Sequence, residues 1–177
     1  RTGVSVAEQL PLSPAQQDAF NSIHKQFQTK QVCLLNGVTS SGKTEIYIRL
    51  IREVLQAGGQ VLYLLPEIAL TTQITTRLRR IFGDAMGVYH SKFPDNERVE
   101  IFQKQLSASP YQLILGVRSS VFLPFRNLKL IIVDEEHETS YKQEEPAPRY
   151  NARDTAIVLA TYYHAHTLLG TATPSLE

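Results

Sequence analysis

The eight residues Gly37-Val38-Thr39-Ser40-Ser41-Gly42-Lys43-Thr44 constrain the fold of this chain more than any other stretch. They fit the pattern G-x-x-x-x-G-K-[ST] at every fixed position. They follow an apolar run, residues 32–35, and lead into a segment from Lys43 to Ala57. There Ile46, Leu50, Ile51, Val54 and Leu55 share one helical side before Gly58-Gly59 ends it. A strand, a glycine-bearing loop and a helix in that order make a phosphate cradle. Glycines let the backbone approach an anion, successive N–H groups point inward, and the helix adds its positive N-terminal end. In such a cradle Lys43 reaches the β- and γ-phosphates of a nucleoside triphosphate, and the Thr44 hydroxyl ligates Mg²⁺.

A second string, Asp134-Glu135-Glu136-His137, directly follows the apolar run Leu130-Ile131-Ile132-Val133. Asp134 is therefore expected at the carboxyl end of a buried strand, where ligands gather in open α/β sheets. Its oxygens suit Mg²⁺, held directly or through water. Glu135 is placed to orient or deprotonate the attacking water. The two strings together indicate an NTP-driven motor rather than a passive nucleotide binder. His137 either links these carboxylates to the following loop or is structural. Thr171-Ala172-Thr173 ends the last apolar run, and its hydroxyls either sense the γ-phosphate or make an ordinary turn before Pro174. Gln16 has two competing roles. Its amide can read an adenine edge, donating and accepting at once. Yet Ser13-x-x-Gln16 is also a capping box, which local pattern favours, and one side chain does not easily do both.

Ser13-Pro14 opens a helix carrying Ala19, Ile23 and Phe27 on one face. Further helices are expected at residues 72–82, 97–106 and 152–163. Strands are expected at 32–35, 61–65, 88–90, 113–116, 130–133 and 167–170. The strands are apolar throughout, which predicts burial on both faces. The fold class is thus α/β, a mainly parallel sheet with helices on both faces in three layers. At 177 residues the chain suits one domain, here 12–177 after a linker at 1–11. Both ends look cut, so a fragment of a longer protein is expected. The longest apolar runs are far too short for a membrane span, and no charged-then-apolar leader opens the chain. One cysteine, Cys33, allows neither an internal disulfide nor a cysteine zinc cluster; it is read as core, and a reducing cytoplasm fits. A net charge of +1 confines any nucleic-acid contact to local loops or to parts of a larger protein. One such loop is the polar stretch 138–151. From Tyr141 and Lys142 through Arg149, Tyr150 and Arg153, aromatic and basic residues interleave, the combination that holds single strands by stacking and phosphate contact. Local packing of the tyrosines is the alternative, and Glu144 and Glu145 oppose a simple phosphate groove.

These motifs, in this order, resemble the first RecA-like lobe of a superfamily 2 helicase of the DExH type. The finer strings resemble the PriA family of bacterial primosomal replication-restart helicases. They are residues 37–45 ending at Glu45, Pro66-Glu67-Ile68-Ala69-Leu70-Thr71, His90-Ser91, Gly116-Val117-Arg118-Ser119-Ser120-Val121-Phe122, Ser140-Tyr141-Lys142-Gln143 and the run from Arg149 to Asp154. The resemblance implies ATP and Mg²⁺ as cofactors, with the family's zinc module outside this chain. It makes Gln16 the adenine-contacting residue, above its capping role. Gly37, Thr39, Ser40, Ser41, Gly42, Lys43, Thr44 and Glu45 would hold the nucleotide. Thr71, Arg118 and Ser119 would contact the tracked DNA strand, and the loop from Tyr141 to Arg153 would couple DNA binding to hydrolysis. Thr171 and Thr173 would couple the phosphates to a second lobe. Implied partners are forked or single-stranded DNA, primosome proteins and single-strand-binding proteins, with no membrane, in a bacterial cytoplasm at the nucleoid. The chain departs from some relatives in having no tryptophan in the loop. The resemblance also places the second lobe and its arginine finger outside these residues, so the fragment alone is expected to be nearly inactive. Competing readings are another translocase of the superfamily, RecG-like or a restriction-enzyme motor, a P-loop phosphotransferase, and a non-catalytic DNA- or protein-binding module. A phosphotransferase would leave the Asp134-Glu135 pair and the Thr171-Ala172-Thr173 strand end without a task.

Overall fold

The computed structural model describes residues 11–90, 92, 94–135 and 151–171. Its order is α1 (Pro14–Phe27), β1 (Val32–Leu35), α2 (Ser40–Gln56), β2 (Gln60–Leu64), α3 (Thr72–Phe82), β3 (Met86–Tyr89), α4 (Asp95–Leu106), β4 (Leu113–Gly116), β5 (Leu128–Asp134), α5 (Ala152–Tyr163) and β6 (His166–Gly170). Short 3-10 turns at Glu67–Ala69 and Arg118–Phe122 follow β2 and β4. The six strands form one sheet in the order β1-β6-β5-β2-β4-β3, and every neighbouring pair is parallel.

Strand alternation divides the core in two. On one face Cys33, Leu35, Val61, Tyr63, Leu115, Leu130, Ile132 and Leu168 meet Ile23 of α1, Ile46 and Ile51 of α2, and Leu78 and Ile81 of α3. On the other, Leu62, Leu64, Ile114, Ile131 and Val133 meet Ala156 and Ala160 of α5 and Val121 of the second 3-10 turn, with Ile101 of α4 alongside. The layers are helix, sheet, helix, as the apolar strands predict. Among the described residues, no helix is long and apolar enough to cross a membrane.

Two sequence expectations need correction. The strands are not all buried on both faces. All five residues of β2 are buried at the sheet centre, whereas β1 lies at the edge and Leu34 is 48% exposed. With a neighbour on one side only, β1 has less covering chain on that face. The second concerns α2, which begins at Ser40 rather than Lys43. The Thr39 hydroxyl accepts from the Gly42 N–H, so the second half of the glycine loop is already the helix's first turn. The carboxyl ends of β1, β2, β4, β5 and β6 then open toward one edge of the sheet, where the candidate residues gather.

Candidate nucleotide site

β1 delivers the chain to the loop, and Gly37 turns it at φ 77°, a left-handed conformation that glycine adopts without strain. Gly42 is needed for space. A methyl there would stand 2.7 Å from the Val38 side chain and 3.2 Å from Gln16 Nε2. Thr39 caps α2, and Ser40, Ser41, Gly42, Lys43, Thr44 and Glu45 form its first turns. The Lys43 side chain is 1% exposed, and its ammonium donates to Asp134 Oδ1 and to Glu135 Oε1, each at 2.8 Å. Residues 91 positions apart thus meet, one from the first turn of α2 and the other from the end of β5. The lysine expected to hold phosphates is shared between two carboxylates, one positive charge against two negative.

Asp134 ends β5, and Glu135 follows at φ 54°. A left-handed non-glycine residue costs about 1–2 kcal/mol, a strain that clusters at functional sites. Here it accompanies a turn that brings the Glu135 carboxylate to Lys43. Asp134 also accepts from the Tyr47 hydroxyl at 2.7 Å. Burial, and then the Asp134 charge, push the Tyr47 phenol well above its ordinary value. Burial and the same charge raise Tyr63, against a lowering hydrogen bond from Thr44. Both phenols stay protonated at neutral pH. Thr44 and Asp134 offer a hydroxyl and a carboxylate, hard oxygen donors whose chemistry fits Mg²⁺.

Gln16 makes the capping box weighed from the sequence and a second contact that the sequence did not suggest. Its Oε1 accepts from the Ser13 N–H at 2.8 Å, completing the capping box, while its Nε2 donates to the Gly42 carbonyl at 3.1 Å. The amide therefore ties the start of α1 to the glycine loop. Glu45 pairs with Arg77 of α3. Thr71 caps that same helix, its hydroxyl accepting from the Ile74 N–H. Arg118 and Ser119 lie in the 3-10 turn after β4, whose end is bonded to the chain leaving β2 through Leu65 N–H and the Gly116 carbonyl. Ser119 Oγ is buried without a hydrogen-bond partner among the described residues. The Thr171 N–H donates to the Leu35 carbonyl at 3.1 Å, placing Thr171 beside the strand that feeds the loop. Arg153 lies in the first turn of α5 with its guanidinium on Asp154. His137, Tyr141, Lys142, Arg149, Tyr150 and Thr173 lie outside the described residues.

Sequence reasoning missed Tyr47 and Tyr63. Tyr47 carried a usable signal, since it stands four residues after Lys43 on the same side of α2. Tyr63, inside an apolar strand, reads as core.

A family model described as DEAD/DEAH box helicase matches residues 13–177. The chain is 44% identical over 172 residues to the replication restart protein PriA of Bacillus subtilis, covering 96% of this chain and 21% of that protein. It is 46% identical over 171 residues to the replication restart protein PriA of Chlamydia trachomatis, covering 94% and 22%. The chain thus spans about a fifth of the length of these curated relatives. Among solved structures, RecG bound to a three-way DNA junction matches with TM-score 0.64 at 21% identity, over 93% of this chain and 21% of that one. The DUF1998 helicase MrfA bound to DNA and AMPPNP matches with TM-score 0.62 at 18% identity, over 93% and 24%. At these identities the structural likeness shows the fold.

Proposed function

Because the chain belongs to the DEAD/DEAH box helicase family, we propose that it is the ATP-binding motor lobe of an ATP-dependent 3′–5′ DNA helicase. In the whole protein, hydrolysis would drive movement along forked or single-stranded DNA during replication-fork restart and primosome assembly, in the bacterial cytoplasm at the nucleoid. The observation that carries the reading is Lys43 Nζ lying 2.8 Å from both Asp134 and Glu135. A phosphate-loop lysine and a carboxylate pair share one point at the carboxyl edge of a parallel sheet. The extended identity to replication restart proteins supports the task of restarting forks.

In this reading the N–H groups of residues 37–44 cradle the phosphates and Lys43 moves from the carboxylates onto them. Thr44 and Asp134 would hold Mg²⁺, which would supply neutralising charge on the phosphates. Glu135, released by Lys43, orients the attacking water and takes its proton. Gln16 reads the adenine by exchanging its Gly42 contact for the base. Thr71, Arg118, Ser119 and the loop from Tyr141 to Arg153 contact DNA, while Thr171 and Thr173 report the phosphate state. Primosome and single-strand-binding proteins are the proposed partners.

The test is ATP turnover by the full-length protein with and without forked DNA. Turnover should be stimulated by the fork. Glu135→Gln should keep nucleotide binding and lose hydrolysis by about 10²–10⁴-fold, the usual contribution of a general base. A Glu135→Gln protein with wild-type turnover would overturn the assignment.

A further inference from the structure

Two buried tyrosines lie between the phosphate loop and the acidic strand end, and the steps above give them no part. Tyr47, 0% exposed, stands one helical turn beyond Lys43. Its hydroxyl donates to Asp134 Oδ1 at 2.7 Å. Tyr63, 1% exposed, comes from β2 at the centre of the sheet. The two rings meet edge to face with centroids 5.3 Å apart at 79°, and a hydrogen bond joins the Thr44 and Tyr63 hydroxyls. Each phenol is therefore bonded to a different one of the two side chains assigned to Mg²⁺. Packing alone does not explain this. Phenylalanine fills the same core volume without burying two hydroxyls, which cost free energy unless they are hydrogen-bonded. The neighbouring strand makes room for the arrangement. A methyl on Gly170 of β6 would overlap the Tyr47 hydroxyl and stand 3.0 Å from Asp134 Oδ1.

We propose that Tyr47 and Tyr63 are positioning residues for metal binding, holding Asp134 and Thr44 in the orientation the cation needs. The inference rests on the nucleotide reading above. Lys43 and Tyr47 both donate to Asp134 Oδ1. When the phosphates draw Lys43 away, Tyr47 is anchored in the core and keeps its hold, so the carboxylate does not swing. Tyr63, by accepting the hydrogen bond of the Thr44 hydroxyl, leaves the lone pairs of the Thr44 oxygen facing the cation. Partners that orient metal ligands in this way are worth about 10–100-fold in metal affinity.

The experiment compares full-length wild-type protein with Tyr47→Phe and Gly170→Ala. A fluorescent ATP analogue is titrated with and without Mg²⁺, and Mn²⁺ binding is followed by electron paramagnetic resonance in the presence of that analogue. Wild type should bind the analogue more tightly with metal. Tyr47→Phe should weaken Mn²⁺ at least about 10-fold while its metal-free nucleotide affinity is unchanged, and Gly170→Ala should do the same by displacing the hydroxyl. An unchanged Mn²⁺ constant in Tyr47→Phe overturns the proposal, as does an equal loss of metal-free binding, which marks a packing role. Wild type showing no metal-dependent tightening would instead overturn the nucleotide reading itself. If Tyr47→Phe does not fold, Tyr63→Phe is read by the same two outcomes.

Discussion

Lys43 occupies a position that two functions contest. Buried and bonded to Asp134 and Glu135, it compensates a pair of adjacent carboxylates whose side chains are 15% and 21% exposed. In the proposed reading the same ammonium meets the triphosphate, so nucleotide binding would exchange one set of anions for another instead of filling a neutral pocket. Cys33 shows the opposite residue-scale outcome. Its thiol is buried against the Gln26 side-chain carbonyl at 3.3 Å, and burial raises its pKa despite nearby Lys30. A thiol whose pKa is raised on folding favours its protonated form. Its stabilising contribution is fully present below the unfolded-state value and is lost as pH rises from there through the higher folded-state value. At about pH 8 the native thiol is therefore protonated as well as shielded, and maleimide labelling should be slow, accelerating in denaturant. Fast labelling of the native chain would contradict this placement.

At the scale of elements, two polar residues hold strands and helices where the apolar pattern is silent. Gln60 begins β2 and is 4% exposed. Its amide donates to the Tyr111 carbonyl and accepts from the Arg126 and Asn127 N–H groups, tying the amino ends of β2, β4 and β5. Gln60→Leu keeps the size but strands three backbone groups, and chemical denaturation should show a loss of about 2–4 kcal/mol. α5 ends on His164 at φ 57°, exposed, with its N–H capping the Ala160 and Thr161 carbonyls. Glycine occupies that left-handed position without the Cβ clash, so His164→Gly should stabilise the domain by about 1 kcal/mol in the same assay. The ion pair of Glu45 with Arg77 joins the first turns of α2 to α3, the helix capped by Thr71. It gives the phosphate loop a direct mechanical connection to a segment proposed to touch DNA.

At the scale of the molecule, a parallel sheet sends the ends of β1, β5 and β6 to one edge, and the residues proposed to bind nucleotide form one wall there. The chain spans about a fifth of the length of the relatives it matches. The proposed motor places the opposite wall, with its arginine, in the remainder. ATP turnover by the 177-residue chain alone should therefore fall at least about 10³-fold below that of the full-length protein, the usual contribution of an arginine finger. Robust DNA-stimulated turnover by the isolated chain would refute this.

The layers, the parallel sheet and the strand, glycine loop and helix around residues 37–44 were legible in the sequence because each rests on a local pattern: apolar runs, helical spacing, and glycines at fixed intervals. The candidate pair Lys43 and Asp134 was legible as two motifs. Sequence could not show that they bond to each other, because their contact spans 91 positions and depends on which strands become neighbours. For the same reason, Tyr63 reads as core and Gly170 as an ordinary strand residue, while Tyr47 shows only its place one turn after Lys43. Their chemistry arises only where α2, β2, β5 and β6 converge. Exposure of the β1 edge and the start of α2 at Ser40 were likewise decided by neighbours and by a cap that periodicity does not encode. Sequence by itself determined which elements form and which residues carry charge and hydroxyls. Tertiary structure decided which of those groups share a proton or an ion pair, because hydrogen bonds and Coulomb contacts depend on distances that only packing sets.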